Sequence, residues 1–244
     1  MDSVLLHNVN CYLIRAAFWT VLLIGTVDAA ISFLRVQDLN EGLFGAAMAD
    51  NLKLSDFRGV YIHLPLIALG FAIATVTRTL GFIWLALLVV VAEVLIVVGR
   101  FVFSYEQTFM ADLVRFWYAA LFLFASAYTL FEDGHVRVDV FYAGFGETTK
   151  GYANAWGTVL FGISLCWVIL IIGMENKASI IVSPILYFES AQEGFGMMVK
   201  YMMAGFLGVF ASTMMIQFVS FLFESVADYR DEPGRRERAA EIAH

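Results

Sequence analysis

Six mostly apolar stretches, each close to the ~20 residues a helix needs to cross a hydrocarbon core, constrain this chain more than any other feature. They run over Ala16–Leu34, Val60–Thr77, Gly81–Phe103, Leu113–Phe131, Ala153–Gly173 and Tyr201–Phe223. With 61% hydrophobic and only 15% charged residues, the expected fold class is an all-α integral membrane protein of about six transmembrane helices. The first run is too long for the apolar region of a signal peptide and is expected to be retained as a span. The second carries His63 and Pro65, placed by its boundaries in the first helical turn, where proline removes no helical hydrogen bond. Only Arg78, Thr79 and Leu80 separate it from the third, so the two runs are expected to form a tight hairpin or one long bent helix.

Trp19, Trp84, Trp117 and Trp156 fall in the first turn or so of their spans, a position that suits an indole at the headgroup level. With both termini cytoplasmic, eight Lys and Arg residues lie inside and seven outside. The cluster Arg230, Arg235, Arg236 and Arg238, next to the last span, decides the orientation in favour of cytoplasmic termini. Two long loops, residues 35–59 and 174–200, then face the periplasm. In the first, Leu39, Leu43, Ala46 and Ala47 have the spacing of a short helix lying on the membrane surface. In the second, Ser183–Ser190 is apolar enough to dip into the interface. The tail from Asp228 to His244 is charged and is expected to extend the last helix and then fray.

Charge inside a span is the usual mark of a functional or packing site. Glu93 lies near the middle of the third span with Arg100 on the same helical face; Asp28 lies in the first span, with Arg35 seven residues on. Packing against a neighbouring helix is the first expectation for both carboxylates, since no chain of further titratable groups continues them into a proton path. His63 and His135 fall at opposite membrane edges and are not expected to share a haem. Ala204, Gly208 and Ser212 recur every four residues, with Gly205 beside them and a shorter row of Ala68 and Ala72 on the second span. Such rows let helices approach closely, within the chain or against a second membrane protein. No basic stripe with interleaved aromatics suits nucleic acid. Cys11 and Cys166 make no disulfide framework, and no GxSxG, P-loop, HExxH, CxxC or GxGxxG pattern is present.

The densest charge sits between the fourth and fifth spans, in Phe131-Glu-Asp-Gly-His-Val-Arg-Val-Asp-Val-Phe-Tyr142. Valines alternate there with His135, Arg137 and Asp139, so an extended segment would turn the three polar groups to one side. Together with Glu132 and Asp133 they form a candidate structural or subunit-interface motif.

This motif, with Glu93, Arg100 and the later spans to Phe223, resembles the small membrane subunit of tripartite ATP-independent periplasmic (TRAP) transporters. Its form, with Glu189-Ser190 in the last long loop, is most similar to the branch labelled mannitol/chloroaromatic-compound type, a label that defines no substrate. The common family pattern has four spans, so residues 1–80 read as an extension with two added spans, 81–227 as the family core and 228–244 as a cytoplasmic tail. The resemblance implies an inner-membrane scaffold beside a large permease subunit, which would hold the solute and the coupling ion, sodium. A periplasmic solute-binding protein would deliver a carboxylate-bearing solute to that pair. It implies no cofactor and no catalysis in this chain. The alternatives from other classes are a membrane-anchor subunit of a redox complex and a self-sufficient transporter or channel.

Overall fold

A computed structural model describes residues 2–78, 81–105, 107–131, 142–190 and 196–230. Among them six helices are long and apolar enough to cross a membrane: Leu5–Val36, Ser55–Val76, Phe82–Val102, Thr108–Leu130, Thr148–Met174 and Lys200–Arg230. The described residues contain no strand. Most spans run further than their apolar stretches, because hydropathy marks the hydrocarbon crossing whereas the backbone ladder continues into polar sequence. Thus α1 is helical from Asp2 to Val36, which brings His7 and Cys11 onto its first turns, and α7 spans Thr108–Phe131.

The loop after α1 folds into three short helices, α2 (Asn40–Phe44), α3 (Ala46–Asn51) and α4 (Ser55–Arg58). One surface helix was the expectation. Gly45, at φ +81°, breaks it in two. Leu39, Leu43, Phe44, Met48 and Leu54 are exposed there, as an element lying on a membrane surface requires. Asp50, 2.7 Å from Lys53, lifts that ammonium above its ordinary pKa, though so exposed a pair adds little stability.

A π turn over Gly59–His63 joins α4 to α5 (Leu64–Val76) without a break. Pro65 is therefore well inside the second span and not in its first turn. The wide turn just before it is where the helical ladder absorbs the missing N–H. The helix ends at Thr77, whose ψ of 143° is extended, so α5 and α6 (Phe82–Val102) are not one bent helix. They also part company, α5 lying along α1 and α6 along α7. The end of α5 is held from α1: Arg15 Nη1 donates to the carbonyls of Ala74 (3.3 Å) and Thr77 (2.7 Å), and Trp19 Nε1 to Thr77 Oγ1 (2.9 Å). A cation on last-turn carbonyls also complements the helix dipole.

The fifth span joins α8 (Glu147–Gly157) to α9 (Ser164–Met174) through a π turn at Thr158–Ile163. A short α10 (Val182–Leu186) precedes the last span, α11 (Lys200–Arg230). Helices α1, α7 and α11 touch one another and form the centre, with α5, α6 and the α8–α9 span outside them. Phe206 on α11 fills that centre, its ring 5.0 Å from those of Phe116 and Phe124.

Lipid is as apolar as leucine, so close approach and polar pins hold such helices together. A Cβ on Gly70 would stand 2.4 Å from Thr20 Oγ1 and 2.8 Å from Thr20 N, so α1 and α5 meet through Gly70. The row Ala68 and Ala72 faces outward on α5. Gly25 accepts the edge of Trp117 in the same way. Trp117 is thus inside the bundle, only 6% exposed, while Trp84 and Trp156 do face outward.

Candidate functional site

Where α1 ends and α5 and α11 begin, four polar side chains are closed away together. Asp28, Ser32, Arg58 and His63 are each 0% exposed. Asp28 and Ser32 are one helical turn apart on α1 and share its inner face. Arg58 is the last residue of α4, and the π turn swings His63 inward from the same continuous helix.

Asp28 Oδ1 accepts from Arg58 Nη1 at 2.8 Å and from His63 Nε2 at 3.2 Å, while Oδ2 accepts from the Met198 N–H at 2.9 Å. Arg58 also donates through Nε to the Leu52 carbonyl (2.6 Å) and through Nη1 to Ser32 Oγ (3.3 Å). With Nε2 as donor, the neutral imidazole leaves Nδ1 to accept the Tyr201 hydroxyl, 2.7 Å away. In that state one cation and one anion balance, and the carboxylate has three donors. A buried ion pair is tolerable only when both charges are hydrogen-bonded to this extent.

The chain segment leading into α11 is gripped residue by residue. Arg35 Nη2 donates to the Gly196 carbonyl (2.7 Å), the Met197 N–H to Asp112 Oδ2 (3.0 Å), and the Met198 N–H to Asp28. Arg35 therefore reaches the loop, and Asp28 takes Arg58 in place of the arginine seven residues along its own helix. Phe188 closes the outer side: its ring is 5.3 Å from that of Tyr201, and a Cβ on Gly59 would collide with it at 2.3 Å. A second polar pin joins the far end of α1 to α11, Asn10 Nδ2 donating to Gln217 Oε1 at 3.3 Å, both side chains buried. Asn10 and Asp28 are about 27 Å apart along the helix, so α1 is fastened to α11 at both ends.

Chemically this cluster is a clasp. Both ring nitrogens of His63 are engaged, which leaves neither for an axial iron. Among the described residues no group of three or more His, Cys, Asp and Glu has a metal-holding arrangement. Arg58, Ser32, Tyr201 and the Met198 amide were missing from the expected site. Ser32 had a signal, one turn beyond Asp28. Arg58 on α4, Tyr201 on α11 and Met198 just before α11 are distant in sequence, and only the tertiary fold brings them in.

The other expected residues are dispersed. Glu93 and Arg100 lie on α6, both exposed. Glu93 has no hydrogen bond or ion pair among the described residues. Ala204 and Gly208 are half-buried and Ser212 is exposed. With Gly205, the latter two line an apolar groove of 510 Å³ between α1, α5 and α11, and Ser212 Oγ donates to its own helix at Gly208 O. Glu132, Asp133, His135, Arg137 and Asp139 lie outside the described residues, as does the tail from 231. The final residue of their motif, Tyr142, is described: Asn154 of α8 donates to its hydroxyl at 2.7 Å and Lys150 stands 5.8 Å over its ring.

Residues 85–228, from α6 to the last turns of α11, match the family model of the tripartite ATP-independent periplasmic transporters, DctQ component. No curated protein and no solved structure matches the chain.

Proposed function

The chain belongs to the DctQ component family of tripartite ATP-independent periplasmic transporters, and from that premise we propose that it is the scaffold on which the large permease subunit moves. It is a multi-pass inner-membrane protein and the small subunit of such a transporter. In the proposed role it supports elevator-like motion of the large subunit during ion-driven uptake of a carboxylate-bearing solute. A periplasmic binding protein delivers the solute, and the coupling ion, sodium, binds on the large subunit. This chain binds no cofactor, carries out no catalysis and keeps both termini in the cytoplasm. Residues 1–80 form an extension, 81–227 the core and 228–244 the tail.

The observation that carries this reading is the family match across α6 to α11. The closed clasp and the Asn10–Gln217 pin support it, since a scaffold needs rigid internal fastening and no solute site. Glu132, Asp133, His135, Arg137 and Asp139 are assigned to bracing the loop between the fourth and fifth spans against the large subunit.

The test is co-purification followed by reconstitution. The tagged chain should recover the large subunit at fixed stoichiometry, and proteoliposomes with the large subunit and binding protein should transport only when this chain is included. Full transport from the large subunit alone would refute the scaffold role. Arg137→Ala should lower recovery of the large subunit and leave the solute concentration for half-maximal uptake little changed; the reverse pattern would remove Arg137 from the interface.

A further inference from the structure

Helix α6 is the least buried of the six spans. It packs Leu85, Val89 and Ala92 inward, along α7, and leaves most of its other side chains outside. One outward residue is Glu93, eleven residues from the start and nine from the end of the helix. In a bilayer that places a carboxylate near mid-depth, with no donor from the described residues to stabilise it. A carboxylate so placed faces a bundle interior or a polar partner and not lipid.

The neighbours of Glu93 form a surface for such a partner. Ala86, Val90, Glu93, Val97 and Arg100 recur at steps of four, three, four and three, the seam spacing by which one helix packs along another. Val90 and Val97, which flank the carboxylate, are 58% and 52% exposed. Arg100 closes the seam about 10 Å from Glu93 along the axis.

We propose that this seam of α6 is the docking line for a transmembrane helix of the large subunit, and that the helix presents a hydrogen-bond donor or cation to Glu93 at mid-membrane depth. The proposal rests on the scaffold reading above and names its contact. Charge complementarity selects the occupant: lipid tails offer no donor, and a second copy of this chain pairing seam to seam would set two carboxylates against each other.

The test uses the full complex, with Cys11 and Cys166 replaced by serine and single cysteines introduced at Val90 and Val97, or at Val91 and Val98 as outward positions off the seam. Oxidative cross-linking in membranes is expected to join the seam cysteines to the large subunit at least fivefold more than the others. Glu93→Leu is expected to lower recovery of the large subunit at least fivefold, and Glu93→Gln to retain more of it than Glu93→Leu. A hydrophobic carbodiimide should modify Glu93 in the isolated chain and spare it in the complex.

Equal cross-linking at all four positions, cross-linking between two copies of this chain, or carbodiimide modification of Glu93 in the assembled complex would overturn the docking line while leaving the scaffold reading intact. Failure of the wild-type chain to recover any large subunit would instead overturn the scaffold reading. Melting of the isolated Glu93→Leu chain at the wild-type temperature separates a lost contact from a misfolded variant.

Discussion

Two carboxylates, Asp28 and Glu93, lie within the six apolar runs of this protein, and their surroundings are opposite. Asp28 is fully buried and takes donors from Arg58, His63 and the Met198 amide. Glu93 is exposed on α6 with no donor among the described residues. An acid at the centre of a span is unfavourable by about 2.5–3.5 kcal/mol on insertion scales. The chain offsets that for Asp28 by its own fold, and an assembly partner is left to do so for Glu93. The difference also follows the chain: Asp28, Arg58 and His63 lie before the segment that matches the transporter family, whereas Glu93 lies within it. The clasp ties α1 and the α4–α5 helix to Tyr201 of α11 and to Met198 just before it, so its task is internal.

If Asp28 is stabilised internally, removing its cation should be the most damaging single change. Arg58→Met leaves a buried carboxylate without its ion pair, at a cost of about 3–5 kcal/mol, which lowers the melting temperature of the isolated chain in detergent by roughly 10 °C or more. The double variant Asp28→Asn/Arg58→Met removes both charges and should melt well above the single one. A single variant that melts with the wild type would end the contrast between the two acids.

Tyr201→Phe probes the same clasp more gently. The ring and its contact with Phe188 remain, but His63 Nδ1 loses its donor. An unsatisfied buried acceptor costs about 1–3 kcal/mol, so the melting point should fall measurably, by less than for Arg58→Met. Circular dichroism melts of the two variants side by side give the ranking.

The spans were legible in the sequence because a membrane helix needs an uninterrupted apolar run, and each of the six runs lies within or nearly coincides with an observed span. Their ends were less legible, since polar residues such as Asn8 and Asn10 continue the helical ladder with no hydropathy signal. Spacing along one helix was readable; partners across helices were not. Glu93 and Arg100 do share a face of α6, but Asp28 pairs with Arg58, thirty residues on, and not with Arg35. The same limit explains α5, where the row Ala68 and Ala72 has the right period and faces outward while Gly70 makes the contact. Periodicity says that residues share a face and does not say what that face meets.

The pin at the other end of α1 sets the scale for a neutral contact in the same bundle. Asn10→Leu and Gln217→Leu should each lower stability slightly, and a double-mutant cycle should give a coupling of about 0.6 kcal/mol, the average for polar pairs between membrane helices. The pair is about 27 Å from the clasp along α1, so its effect should add to that of Tyr201→Phe without coupling. A coupling as large as that of the ion pair would mean that the charge on Asp28 is not what distinguishes the clasp.

The smallest effect is expected at the second acid. Glu93→Leu in the isolated chain removes no internal hydrogen bond and opens no cavity, because the side chain is on the outer flank of α6. The isolated variant should therefore melt within about 0.5 kcal/mol of the wild type, the range for surface changes away from any special feature. A loss on the scale of Arg58→Met would show that Glu93 is also held from within, and the two acids would then be the same kind of residue. An unchanged melt, beside a weakened complex, is the pattern that separates an acid the fold uses from an acid the assembly uses.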